Sequence, residues 1–182
     1  MMVVVADTAA KAEFDRYHGE GRSRSSRGGW EVASPRRSQA AIDRAPAVAY
    51  LRGPGMKSRR LMGYERTLDV FWPKDGRHVI LLESTIHFSA MRTFALGSRD
   101  FVPPDRIQRS IERLMAVWSP RLGTIENRMI TVSVGGRAPC LRIEESGLPP
   151  GLASGSFIAR SAYFNLDLDK GTATHARHCP LL

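Results

Sequence analysis

The chain has 182 residues, 42% of them apolar, and 27 Lys+Arg against 18 Asp+Glu give it a formal charge of +9. That length predicts one domain with chain to spare, and the charge raises encounter rates with polyanions. The longest aliphatic run, Val79-Ile80-Leu81-Leu82, is too short for the roughly 20 apolar residues of a membrane span, and two cysteines exclude a disulfide-dense scaffold.

At the start of the chain, Asp7 interrupts Val3-Val4-Val5, so no secretory leader is read and the cytoplasm is the expected location. Residues 1–66 hold 13 basic and 7 acidic residues, and only nine of the 66 are Leu, Ile, Val or Phe. Residues 67–182 hold 33 of those four types among 116. A Leu/Ile/Val/Phe share below about 20% with high net charge leaves too little apolar area to offset chain entropy. Gly19 to Gly29 is of low complexity, and Ala45-Pro46 and Gly53-Pro54-Gly55 break local order. Residues 1–66 are therefore expected to be a flexible, arginine-rich arm, with the folded domain at 67–182. A second reading makes the arm an over-extended gene model, with translation starting at Met56 or Met62.

Thr67–Trp72 and His78–Glu83 flank Pro73-Lys74-Asp75-Gly76-Arg77, which predicts a hairpin turning on the Asp-Gly pair. Thr85–Ala95 suits a further strand. Pro103-Pro104-Asp105 opens a helix near 104–118, with Ile107, Ile111, Leu114 and Trp118 on one face and Pro120 as its stop. Ile130-Thr131-Val132-Ser133-Val134, Gly135-Gly136 and Cys140–Glu144 read as a second hairpin. Phe157–Leu168 and Thr172–Cys179 read as a third, around Asp169-Lys170-Gly171. Strands, one helix, then strands predict an α+β domain: a mostly antiparallel sheet with one main amphipathic helix on one face.

None of the following candidates reaches a motif. His175, His178, Cys179 and Cys140 could together hold zinc, but an odd spacing puts His175 and His178 on opposite faces of a strand. Asn165–Gly171 resembles a calcium loop but has Lys170 where that loop needs glycine. Gly53–Ser58 lacks the glycine before lysine of a phosphate loop. Glu144 and Glu145 are neighbours, so on a strand they cannot work as an acid/base pair. Cys140 reads as a small buried hydrophobe, and both cysteines as thiols of a reducing cytosol. No catalytic residue, metal or cofactor is expected, and the chain is read as non-enzymatic. In the arm, Arg22, Arg24, Arg27, Arg36 and Arg37 could pair with phosphates while Trp30 stacks on a base.

The helix at Pro104–Trp118, the corner Val132-Ser133-Val134-Gly135-Gly136-Arg137 and the long strand Phe157–Leu168 together resemble the PsbP-like α+β fold, which also occurs in small adaptor and immunity proteins of bacterial type VI secretion. The resemblance covers roughly the last 115 residues and carries no functional residue with it. It implies a bacterial module that binds another protein, with contacts expected from Trp72, His87, Phe88 and Tyr163. Non-specific nucleic-acid binding through the arm is the alternative.

Overall fold

A computed structural model describes residues 14–17, 21–34, 46–97, 105–118, 122–151 and 157–179. In chain order these form β1 (Phe14–Tyr17), β2 (Gly21–Arg24), β3 (Glu31–Ser34), β4 (Ala47–Arg52), β5 (Arg59–Tyr64), β6 (Thr67–Phe71), β7 (His78–Ser84), β8 (Ser89–Ala95), α1 (Asp105–Trp118), β9 (Thr124–Ser133), β10 (Cys140–Leu148), β11 (Ile158–Asp167) and β12 (Thr172–Ala176). The strands make three four-stranded antiparallel sheets, β2-β3-β4-β5, β1-β6-β7-β8 and β9-β10-β11-β12. The fold is β-rich. The expected α+β arrangement is corrected: α1 is the one helix among the described residues, and it has only 14 residues.

The layering follows from β7. Its first five side chains, His78-Val79-Ile80-Leu81-Leu82, are all buried. Successive strand residues point to opposite faces, so an unbroken buried run needs cover on both. Val79 and Leu81 join Leu68, Val70, Trp72 and Phe94 on one face, packed against Val32, Ala49, Leu51, Met62 and Tyr64 of β3, β4 and β5. Ile80 and Leu82 join Phe71 and Met91 on the other, packed against Ile107, Ile111 and Met115 of α1 and the apolar face of β9–β11. The sheet β1-β6-β7-β8 is thus the middle layer.

Residues 21–34 and 46–64, expected in a flexible arm, form the outer sheet β2–β5. The physical reason is that this sheet needs only one apolar face. In β4, Ala47, Ala49 and Leu51 are buried while Val48 and Tyr50 are half-buried and Arg52 is exposed. Small residues, methionine and tyrosine carry the burial, so few of the large aliphatics are required. Two buried hydrogen bonds reinforce the outer sheet. Trp72 Nε1 donates to Ser23 Oγ at 2.6 Å, tying it to the middle layer, and Tyr64 Oη donates to Ser34 Oγ at 2.6 Å within it.

The predicted hairpins are present as β6–β7, β9–β10 and β11–β12. Gly76 turns the first at φ +65°, a conformation that favours glycine. The middle and third sheets meet at one parallel bridge between Phe88 and Arg128, where Arg128 N donates to the His87 carbonyl at 2.8 Å. Cys140 and Cys179 form a disulfide, with Cα atoms 5.6 Å apart, which corrects the expectation of free thiols. No helix among the described residues is long and apolar enough to cross a membrane.

Candidate functional site

The third sheet has an inner face set by parity. In β10, Leu141, Ile143 and Glu145 are buried, while Arg142 and Glu144 between them are half-buried. Register then builds three inner rungs. Leu141 pairs with Val132 and Phe164, Ile143 with Ile130 and Ala162, and Glu145 with Arg128 and Arg160. The first two are apolar. The third is an ionic rung at the end of the apolar face, its members following Val132 and Ile130 on β9, Leu141 and Ile143 on β10, and Phe164 and Ala162 on β11.

Glu145 is fully enclosed, its side chain 0% exposed. Arg128 Nε and Nη2 each reach its Oε1 at 2.7 Å. From the other side, Arg160 Nη2 reaches Oε2 at 2.8 Å and Nε at 3.3 Å. A buried carboxylate survives only with such partners, because desolvation would otherwise drive it neutral. Two guanidiniums thus share one carboxylate within the rung.

Arg128 also lines a cavity of about 600 Å³ between β8, α1, β9 and β10. Its apolar wall is Met91, Ile111, Met115, Ile130 and Ile143, and its polar lining includes Ser89, Arg92, Gln108 and Glu112. Gln108 Nε2 donates to Glu112 Oε1 at 2.9 Å, one helical turn apart. A largely apolar cleft of some hundreds of Å³ with a few convergent polar groups is the usual form of a small-molecule site.

The sequence-predicted residues are placed differently. Arg22 and Arg24 are exposed on β2, and Arg24 Nε pairs with Glu31 Oε2 at 2.9 Å. Arg27 Nη1 donates to the Lys74 carbonyl at 2.8 Å. Trp30 packs against the core cluster of the outer sheet, and its ring lies so close over Gly53 that a Cβ there would overlap it. Trp30 is therefore a packing residue rather than an open stacking platform. Arg36 and Arg37 lie outside the described residues. Trp72 is 3% exposed, which corrects its expected role as a surface contact. His87 and Phe88 are exposed neighbours, with His87 Nδ1 bonded to Asn127 Oδ1 at 2.7 Å. Tyr163 pairs with Arg142 on the opposite face of the third sheet from the cleft. The four expected partner contacts do not share a surface.

Other polar clusters have structural work. His78 Nδ1 meets Asp75 Oδ2 at 2.7 Å, and Arg77 Nη2 meets Asp169 Oδ2 at 2.7 Å. The first lies within the β6–β7 connection and the second links it to the β11–β12 turn. In the latter turn Lys170 donates to Asp167 through its backbone N–H and its ammonium. The hydrogen bond from the ammonium holds the Asp167 carboxyl below its ordinary value and the Lys170 ammonium above its own. His175 packs edge-on against Phe164 at 5.2 Å. Among the described residues no three His, Cys, Asp or Glu side chains gather as a metal site.

The signal that could have found the ionic rung is parity. Arg128, Glu145 and Arg160 each extend the apolar alternation of a strand with a charge of the sign its neighbour needs. No family model, no characterised protein and no solved structure matches this chain.

Proposed function

We propose that this protein works by binding rather than by catalysis, and that its ligand is a small amphipathic carboxylate seated in the cleft between α1, β8 and β9. The observation that carries this reading is the Arg128–Glu145–Arg160 rung at the end of an apolar wall. Arg128 uses Nε and Nη2 on Glu145, and a guanidinium has five N–H donors, so further donors remain for a ligand. The Arg128 guanidinium in the cleft lining favours an anion over a neutral head group, and low local dielectric strengthens that preference. Met91, Ile111, Met115, Ile130 and Ile143 take the aliphatic body. A second reading keeps a protein partner: Phe88, 48% exposed, borders Arg128 through their bridge and could receive an acidic side chain there.

Calorimetric titration of the full chain with decanoate, decanol and decyltrimethylammonium separates these. Decanoate should bind tightest. Ala116→Trp, filling the cleft from its α1 wall, should abolish that binding. Arg128→Gln should weaken decanoate about tenfold, the worth of one charge-assisted hydrogen bond, and leave decanol unchanged. Equal affinity for decanol and decanoate, or indifference to Ala116→Trp, would sink the cleft reading. No uptake of any of the three probes would favour the protein partner.

A further inference from the structure

The outer sheet turns one face to the middle layer and the other away from it. By strand parity the outward positions include Arg22 and Arg24 of β2, Glu31 of β3, and Tyr50 and Arg52 of β4, and the register shift between Ala49 and Tyr50 carries Arg60 of β5 to the same face. Register sets them in two adjacent cross-strand rows, Arg22–Ala33–Tyr50–Arg60 and Arg24–Glu31–Arg52. The four arginines are exposed and Tyr50 is half-buried. Glu31 is the one carboxylate in these rows, and it meets Arg24 at 2.9 Å and Arg52 at 3.8 Å. Four cations against one anion leave this face at +3, and the row that holds Tyr50 has no carboxylate at all.

We propose that this face binds single-stranded nucleic acid, with Tyr50 as the stacking platform and Arg22, Arg52 and Arg60 as phosphate contacts. A face built only for solubility mixes signs; this one is dominated by one sign around a single aromatic ring. A single strand offers the complementary pair of features, bases with exposed π-faces and a regular line of phosphates. Strands lie about 4.8 Å apart, so the three gaps from β2 to β5 spread Arg22 and Arg60 roughly 14 Å. That span lets a backbone cross the sheet with a base over Tyr50. Duplex DNA fits worse, because its major groove admits a helix or a two-stranded ribbon rather than a flat four-stranded face. Contacts of this kind select strandedness and not sequence. The face lies beyond the middle layer from the cleft and shares no residue with it, so the two proposals stand or fall separately.

The test is fluorescence anisotropy of the full chain with labelled oligothymidine, against the same sequence as duplex and against dextran sulfate. The wild type should bind the single strand in preference to both, with affinity falling as salt rises. Tyr50→Leu should weaken binding about tenfold at fixed salt, and Tyr50→Phe should restore it. Arg22→Ala and Arg60→Ala should each lower the slope of log affinity against log salt by about 0.7. These exposed positions keep the test decisive if Tyr50→Leu loosens the sheet. Overturning results are no binding at low salt, equal competition by dextran sulfate per charge, or Tyr50→Leu and the two arginine variants all binding as the wild type does.

Discussion

Glu145 shows how one residue can be costly and necessary at once. Its carboxylate is closed off from solvent and held between Arg128 and Arg160. Replacing a whole buried ion group by apolar residues is often neutral, whereas removing one partner strands the others. Glu145→Ala should therefore destabilise the fold by about 3 kcal/mol, since it leaves two inward guanidiniums without their shared acceptor. In urea the midpoint should fall with an unchanged slope, because the surface exposed on unfolding is the same. The triple replacement Arg128→Met, Glu145→Leu, Arg160→Met should regain most of that loss while ending carboxylate selectivity in the cleft. If Glu145→Ala melts with the wild type, the rung is not an organising feature of the third sheet.

At the scale of elements, the strong periodic signals were legible. The helix expected near 104–118 is α1 at Asp105–Trp118, and Ile107 and Ile111 are in the core as its spacing requires. The β6–β7 hairpin is present, but its turn runs Pro73–Gly76 with Lys74 and Asp75 at the centre and Gly76 N–H closing it on the Pro73 carbonyl, not with Asp75-Gly76 as the central pair. What was missed has a physical cause that β7 itself carried. An unbroken run from Val79 to Leu82 asks for cover on both faces, and a single helix can cover only one. The second cover came from strands that bury Val32 and Leu51 but otherwise rely on alanine, methionine and tyrosine, so a tally of large aliphatics passed over them. The disulfide was hidden differently, since 39 residues of sequence separate Cys140 from Cys179 and only the β10-β11-β12 order brings them together. Parity places Cys140 on the outer face of that sheet, where the residues after β12 return across β11 to reach it. Closing a loop of that length stabilises the fold by about 4 kcal/mol in the chain-entropy account. The paired variant Cys140→Ser, Cys179→Ser should lose stability of that order under non-reducing conditions, and dithiothreitol should bring the wild type down to the same melting temperature. A wild type indifferent to dithiothreitol would show that the bridge contributes nothing.

For the whole molecule, three stacked layers mean that the first third of the chain is not detachable. A chain starting at Met62 would lack β1 to β4 and leave one face of the middle sheet bare. Leu68, Val70, Trp72, Val79, Leu81 and Phe94 on that face are all 4% exposed or less. Uncovering six such side chains at about 2 kcal/mol each forfeits on the order of 10 kcal/mol, as much as the entire stability of an ordinary domain. Trp72 would also lose the Ser23 hydroxyl that accepts its indole N–H, and Tyr64 the Ser34 hydroxyl. The shortened protein should therefore aggregate, or remain expanded with strong binding of an apolar dye and no cooperative melt. A soluble 62–182 fragment with the near-ultraviolet dichroism of the full chain would overturn the layered account. The same reasoning governs how the basic face must be tested. Deleting the segment would remove Arg22, Arg24, Tyr50, Arg52 and Arg60 together and bare the middle sheet, so lost nucleic-acid binding would not separate the contact from the collapse. Only substitutions that keep the three layers, such as Arg22→Ala, Arg60→Ala and the Tyr50 pair, can tell the two apart.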